Sequence, residues 1–251
     1  FLKKTNSKVI VTLHDTWLFD ELFTYNNTPY ITIDKKRYPR SFLFKLPKLN
    51  QALKLFFLNS ISEAIFITPS HWLKKKIINF YKDKIELFVI HNGIDTDKFR
   101  KLANMDNLVN KKLDLINPNK IIILSVALNW SESKGINKVI ELSKILDESH
   151  LILLVGPYKG QLNANIVHIN KTLNADQLIE YYSISDIFFN PTLADNFPTV
   201  NLEALSTALP IIAYDIGGNK EIINTYYNGI LVDFTDIREV KKAIDMIHNN
   251  Y

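Results

Sequence analysis

Short runs of β-branched and aliphatic residues recur along this chain, with amphipathic stretches between them. That alternation restricts the possible folds more than any other feature. A run that is apolar at every position is buried on both faces, and such strands belong to parallel sheets covered by helices. Residues 8–13, 64–68 and 87–90 read as strands, with a helix opening at Pro69-Ser70 and running to about Phe80. After residue 119 the alternation restarts. Strands are predicted at 120–127, 151–155, 166–169, 186–190, 210–214 and 230–232. Helices are predicted at 136–146, 174–184, 199–208, from Gly217-Gly218 to Asn224, and over 236–248.

The pattern implies two domains, 1–100 and 120–251, joined by a polar linker over 101–119 that ends near Asn117-Pro118. Residues 19–46, rich in Pro, Tyr, Asn and Lys, have no clear period and read as a long irregular loop. In doubly wound sheets ligands gather at the carboxyl ends of strands, at the point where strand order reverses. His14 and Asp15, Asn92-Gly93, Gly156, Asp195 and Gly217-Gly218 all follow predicted strands, which directs the search for a site to one end of each sheet.

Several function classes are excluded early. The chain has no cysteine, so thiolate metal sites and disulfides are impossible. No stretch approaches about 20 apolar residues, the length a membrane-spanning helix needs. The net charge of +4 is uneven. Residues 1–100 hold 17 Lys/Arg against 9 Asp/Glu, a balance of +8, and residues 101–251 hold 13 against 17, a balance of −4. A basic first half suits an anionic lipid surface or simply a solvated face. Its basic residues are not interleaved with aromatics, which argues against nucleic acid.

The segment 190–205 reads NPTLADNFPTVNLEAL. Asn196 is a good helix cap and Pro198 is tolerated in a first turn, so a helix is expected to start there. Its exposed amides and dipole favour an anion such as phosphate. Glu203 then lies roughly 10 Å along the helix axis, and its side chain leans back toward the start. Asp195 sits in the loop at the same mouth. The spacing alone equally fits Asp195 as a cap and Glu203 as the partner of a surface lysine. Asp95-Thr-Asp97 imitates a metal-binding pair, but it follows Asn92-Gly93 in a turn, where aspartates cap the chain. No metal is expected.

The acidic pair, Asp195-x7-Glu203, resembles the motif of retaining family 4 glycosyltransferases of the GT-B fold, in the bacterial colanic-acid and polysaccharide branch. Six further blocks agree in order: Val11-Thr-Leu-His-Asp-Thr-Trp17, Ile67-Thr-Pro-Ser-His-Trp-Leu73, Val89-Ile-His-Asn-Gly-Ile-Asp95, Lys134-Gly135, Leu154-Val-Gly156 and Ile211-Ile-Ala-Tyr-Asp-Ile-Gly-Gly218. The resemblance implies two Rossmann-like doubly wound domains facing a cleft, the first of them incomplete. It implies that Glu203 binds the ribose hydroxyls of a nucleotide-diphosphate sugar and that Asp195 binds the sugar. Asn196, Phe197, Pro198, Thr199 and Val200 would line the sugar and diphosphate, together with Gly156. Lys134 would neutralise the diphosphate, Thr172 and Leu173 would meet the base, and His14 would face the reacting carbon. Taken by their residues alone, His14 also fits a backbone-bonded strand end and Lys134 a surface lysine. Leu128, Asn129 and Trp130 stand where the family usually offers an Arg, and Ala194 where the branch often has Glu.

The expected activity is sugar transfer to a glycan or lipid-linked acceptor in the cytoplasm, peripheral to the inner membrane face, with no cofactor. Two other readings follow from the same residues. One is a noncatalytic nucleotide-sugar-binding fragment, and the other a 2-epimerase on the same fold.

Overall fold

In the computed structural model, residues 9–15, 30–33, 36–39, 64–81, 85–103 and 120–250 are described. The chain divides into two compact units, Phe1–His91 and Asn92–Tyr251. The sequence pattern puts the end of the first domain at residue 100; in the structure 92–103 belongs with the second unit. Most of the expected linker, 104–119, lies outside the described residues.

The first unit contains a three-stranded parallel sheet, β1 (Ile10–Thr12), β4 (Ile65–Thr68) and β5 (Leu87–Val89), in that order. Helix α1 (His71–Tyr81) starts where Ser70 Oγ accepts the amide of Leu73 at 3.1 Å, an N-terminal cap. Leu73, Ile77, Phe66 and Leu87 form the core between helix and sheet. A separate antiparallel pair, β2 (Tyr30–Ile33) and β3 (Lys36–Pro39), falls inside the stretch expected to be irregular. Tyr30, Ile31, Thr32 and Ile33 are all strand formers, but the run is too short to establish a period. The rest of 19–46, and Trp17, lie outside the described residues.

The second unit is built on six parallel strands. They are β6 (Ile121–Val126), β7 (His150–Val155), β8 (Ile166–Ile169), β9 (Ile187–Asn190), β10 (Ile211–Tyr214) and β11 (Gly229–Val232). Their order across the sheet is β11-β10-β9-β6-β7-β8. Strands β7, β9 and β10 are buried at every position, the reason their sequences are uninterrupted apolar runs.

Side chains alternate between two cores on opposite faces. Ile123, Ile152 and Leu154 join one, against helices α2 (Ile136–Ile145) and α6 (Ile237–Asn250). Ile122, Leu124, Leu151 and Leu153 join the other, against α3 (Ala175–Ile184) and α4 (Thr199–Ser206). A short helix, α5 (Asn219–Ile222), follows β10. Among the described residues no helix is long and apolar enough to cross a membrane.

The chain lays down β6, β7 and β8 in one direction, then returns to place β9 beside β6 and proceeds the other way. The loops leaving β6 and β9 therefore diverge, and they open a crevice at their carboxyl ends.

Candidate donor site at the switch point

A hollow of about 240 Å³ occupies that crevice. The β6 loop contributes Val126, Ala127, Leu128, Trp130 and Lys134; the β9 loop and the start of α4 contribute Asn190, Thr192, Asp195, Phe197, Pro198, Thr199 and Val200. A larger hollow, about 660 Å³, lies at the opposite, amino ends of the strands, beside Lys101, Lys120, Ser185 and His248. Size alone favours the second. The smaller one is at the end of the sheet where loops diverge and a helix begins, and it holds the paired charges.

Each wall is fixed locally. Trp130 is buried, and its Nε1 donates to the Val155 carbonyl at 3.0 Å, which ties the β6 loop to β7. Residues 131–135 form a tight turn in which the Lys134 amide bonds the Ser131 carbonyl at 3.1 Å. The turn closes at Gly135, whose φ of +78° suits glycine. A Cβ there would also lie 2.0 Å from the Pro191 carbonyl oxygen. The Leu193 amide donates to the Ser133 carbonyl at 2.9 Å, so the two loops are stitched together directly behind Lys134.

Helix α4 starts at Thr199 with Pro198 at its cap, not at Asn196, which is buried before the helix. Proline fixes φ but carries no capping group, so no side-chain cap closes the helix at that position. The helix thus begins at residue 199 as predicted; counted from there Glu203 stands about 6 Å along the axis, and the roughly 10 Å expected is the distance counted from Asn196.

The backbone of Asp195 is wedged from behind. A Cβ on Gly217 would lie 1.7 Å from the Asp195 carbonyl oxygen, and Gly217 has φ of +57°. The Phe197 carbonyl accepts from Asn92 Nδ2 at 3.3 Å.

These constraints bring Lys134 Nζ within 3.0 Å of Asp195 Oδ2, across 61 residues of sequence. Both side chains keep contact with solvent, Lys134 at 42% and Asp195 at 21% exposure. Thr192 lines the same hollow, and its buried hydroxyl has no hydrogen-bond partner among the described residues. Such an orphan is expected where a ligand supplies the partner.

Glu203 does not line this hollow. It lies one turn beyond Val200, where Tyr182 on α3 donates a hydrogen bond to its Oε2 at 2.9 Å. Burial pushes the Glu203 carboxyl above its ordinary range, and the Tyr182 hydroxyl partly opposes that shift. The same burial, reinforced by the neighbouring carboxylate, pushes the Tyr182 phenol well up.

Beneath the hollow runs a buried amide ladder. Asn190 Nδ2 donates to Asn201 Oδ1 at 2.8 Å, Asn201 Nδ2 to Asn219 Oδ1 at 3.0 Å, and Asn219 Nδ2 to the Tyr214 carbonyl at 2.9 Å. It locks α4 and α5 to the carboxyl ends of β9 and β10.

The remaining candidates lie on other elements. Gly156 ends β7 with φ of +122°, tight against Ala127 and Trp130 of the hollow's wall. Thr172 is half-buried and Leu173 exposed in the loop before α3, where the Leu173 amide bonds Gln177 Oε1. His14 is exposed at the end of β1 in the first unit. Asp95 Oδ1 accepts the amides of Asp97 and Lys98, at 3.1 and 3.0 Å, so it caps its own turn. Sequence reasoning missed Tyr182, Trp130 and the asparagine ladder. A tyrosine or tryptophan at an apolar position looks like core, and nothing in their spacing places three asparagines together.

Fold and site together define a doubly wound α/β protein with a charged pair and a helix start at its switch point. Residues 109–251 match the family described as glycosyl transferases group 1, and the chain belongs to that family. It is 28% identical over 181 residues to a UDP-Gal:alpha-D-GlcNAc-diphosphoundecaprenol alpha-1,3-galactosyltransferase of Escherichia coli, covering 67% of this chain and 46% of that protein. It is 26% identical over 204 residues to the capsular polysaccharide biosynthesis glycosyltransferase CapM of Staphylococcus aureus, covering 73% and 52%. The chain thus spans about half the length of these relatives. Among solved structures it resembles HepE of Anabaena in complex with UDP-glucose, with a TM-score of 0.70, 17% identity, and 81% and 58% of the two chains covered. Sucrose-phosphate synthase of Thermosynechococcus elongatus gives a TM-score of 0.66 at 16% identity, covering 99% and 81%. The fold class is that of the GT-B enzymes.

Proposed function

We propose that this chain carries the donor site of a glycosyltransferase that moves a sugar from a nucleotide-diphosphate sugar to a glycan or lipid-linked acceptor. The setting is surface polysaccharide synthesis, and the anomeric configuration is retained. The observation that carries this reading is the Lys134–Asp195 pair at the rim of the switch-point hollow, beside the start of α4. The names of the Escherichia coli and Staphylococcus aureus relatives, and the UDP-glucose bound by HepE, support the donor and the pathway.

In this reading Lys134 and the α4 amides take the diphosphate, where a cation and a helix start together favour anionic oxygens. Asp195 accepts the sugar hydroxyls and Glu203 the ribose hydroxyls. Asn196, Phe197, Pro198, Thr199, Val200 and Gly156 shape the walls, and Thr172 and Leu173 contact the base. The bond between the anomeric carbon and the leaving phosphate oxygen breaks, and its electron pair stays with that oxygen. The acceptor oxygen bonds the same face of the carbon while its proton passes to the departing phosphate. His14 is assigned to the sugar's reacting side. Lys134 stabilises the charge that develops on the leaving group, an electrostatic role that needs no bound metal. The enzyme works in the cytoplasm, against the inner membrane face where lipid-linked acceptors reside.

The test is turnover of the full-length protein with UDP- and GDP-sugars and a polyprenyl-diphosphate glycan acceptor. Asp195→Ala and Glu203→Ala are each expected to lower turnover by roughly a hundredfold or more while leaving a cooperative melt. Turnover unchanged in both variants would sink the proposal.

A further inference from the structure

Tyr182 is fully buried on α3, its ring 5.6 Å from that of Phe188 and packed in the core beneath α4. Its hydroxyl has two acceptors in reach, Glu203 Oε2 at 2.9 Å and the Val200 carbonyl at 3.3 Å. A single proton goes to the nearer, charged acceptor. Glu203 Oε1 accepts no hydrogen bond among the described residues. One oxygen of this carboxylate is therefore pinned from the core side and the other is left available.

We propose that Tyr182 is a positioning residue for the donor's ribose: it fixes the Glu203 carboxylate so that its remaining lone pairs meet the ribose diol. The inference rests on the reading of Glu203 as the ribose carboxylate. The choice of a tyrosine has a physical logic. A glutamate has three side-chain torsions and is mobile by default, whereas a packed tyrosine ring has one place to put its hydroxyl. The phenol is neutral, so it orients the carboxylate without cancelling the charge that the diol hydroxyls need. A lysine or arginine in its place would neutralise that charge and compete for the diphosphate. The bond also offsets part of the burial that favours protonated Glu203, which would bind a diol poorly.

The test compares ribose with deoxyribose, a contrast that a purely structural role of Tyr182 would not alter. The chain is titrated calorimetrically with UDP, ADP and GDP, and the tightest binder is then compared with its 2′-deoxy counterpart. Wild type is expected to prefer the ribose form. Tyr182→Phe should weaken the ribonucleotide roughly tenfold, leave the deoxynucleotide nearly unchanged, and so erase most of the preference. Glu203→Asp keeps the charge but withdraws it from the hydroxyl, and should erase the preference as well. Adding Tyr182→Phe to Glu203→Gln should cost nothing further. If Tyr182→Phe or Glu203→Asp keeps the wild-type preference while Glu203→Gln loses it, the positioning role is overturned and the donor-site reading stands. If Glu203→Gln keeps the preference, or no nucleotide binds wild type, both fall.

Discussion

Lys134 and Asp195 stand 3.0 Å apart at the rim of the switch-point hollow, each still partly in water. The pair adds little to stability. Exposed ion pairs contribute about 0–1 kcal/mol once solvent screening is counted. In the proposed reading, a diphosphate entering the site would offer Lys134 two charged groups in place of one, and would free Asp195 to accept hydroxyls.

Lys134→Ala should therefore separate binding from folding. Its melting temperature is expected within a degree or two of wild type. Affinity for a nucleoside diphosphate should fall by roughly ten- to a hundredfold. Paired thermal melts and calorimetric titrations measure both. A large loss of stability with unchanged affinity would assign the lysine to the fold.

Gly135→Ala attacks the same lysine through the backbone. The left-handed conformation costs alanine about 1–2 kcal/mol, and the contact with the Pro191 carbonyl adds to that. Denaturant unfolding should register the loss. Donor affinity should fall further than the stability loss alone explains, because the turn that presents Lys134 must shift.

Glu203 makes stability depend on pH in a stated direction. Burial holds its carboxyl above the ordinary value of 4.5, so the native state keeps this proton more tightly than the unfolded chain does. The stabilising contribution is full below the unfolded pKa and is lost as pH rises through the raised folded value. Glu203→Gln has no proton to lose there. Its stability relative to wild type should climb as pH rises above 4.5 and level off once wild-type Glu203 is ionised. Melts taken from pH 4 to pH 8 test this, and a constant difference across that range would contradict it.

Asn201→Ala breaks the amide ladder in the middle. It leaves Asn190 Nδ2 and Asn219 Oδ1 buried and unsatisfied, a cost of about 2–3 kcal/mol. In a unit of this size that lowers the melting temperature by roughly 5–10 °C. Thermal unfolding by circular dichroism gives the number.

Much of this structure was legible in the sequence. Strands such as β7 and β10 announce themselves because burial on both faces demands unbroken apolar runs. The strand at 166–169 was placed to the residue. The start of α3 was readable from Asn174, whose side chain accepts the Gln177 amide as a cap should. The start of α4 at residue 199 was readable too, but not its cap, since Asn196 and Pro198 compete for that position and the buried setting of Asn196 decides between them. The antiparallel pair of β2 and β3 was invisible because four-residue strands carry no usable period. Within the site, Asp195, Lys134 and Glu203 came from a motif, but their partners did not. Tyr182 lies 21 residues from Glu203 and reads as core, and only the packing of α3 on α4 reveals its hydroxyl's target.

The most direct test maps where a nucleoside diphosphate binds. Amide chemical shifts of the isotopically labelled chain would be followed while UDP, ADP and GDP are added in turn. The largest changes are expected at Lys134, Gly156 and the run Asp195, Asn196, Phe197, Thr199 and Val200. Changes gathered instead at Lys101, Lys120, Ser185 and His248, around the larger hollow at the far end of the sheet, would contradict the placement of the donor site.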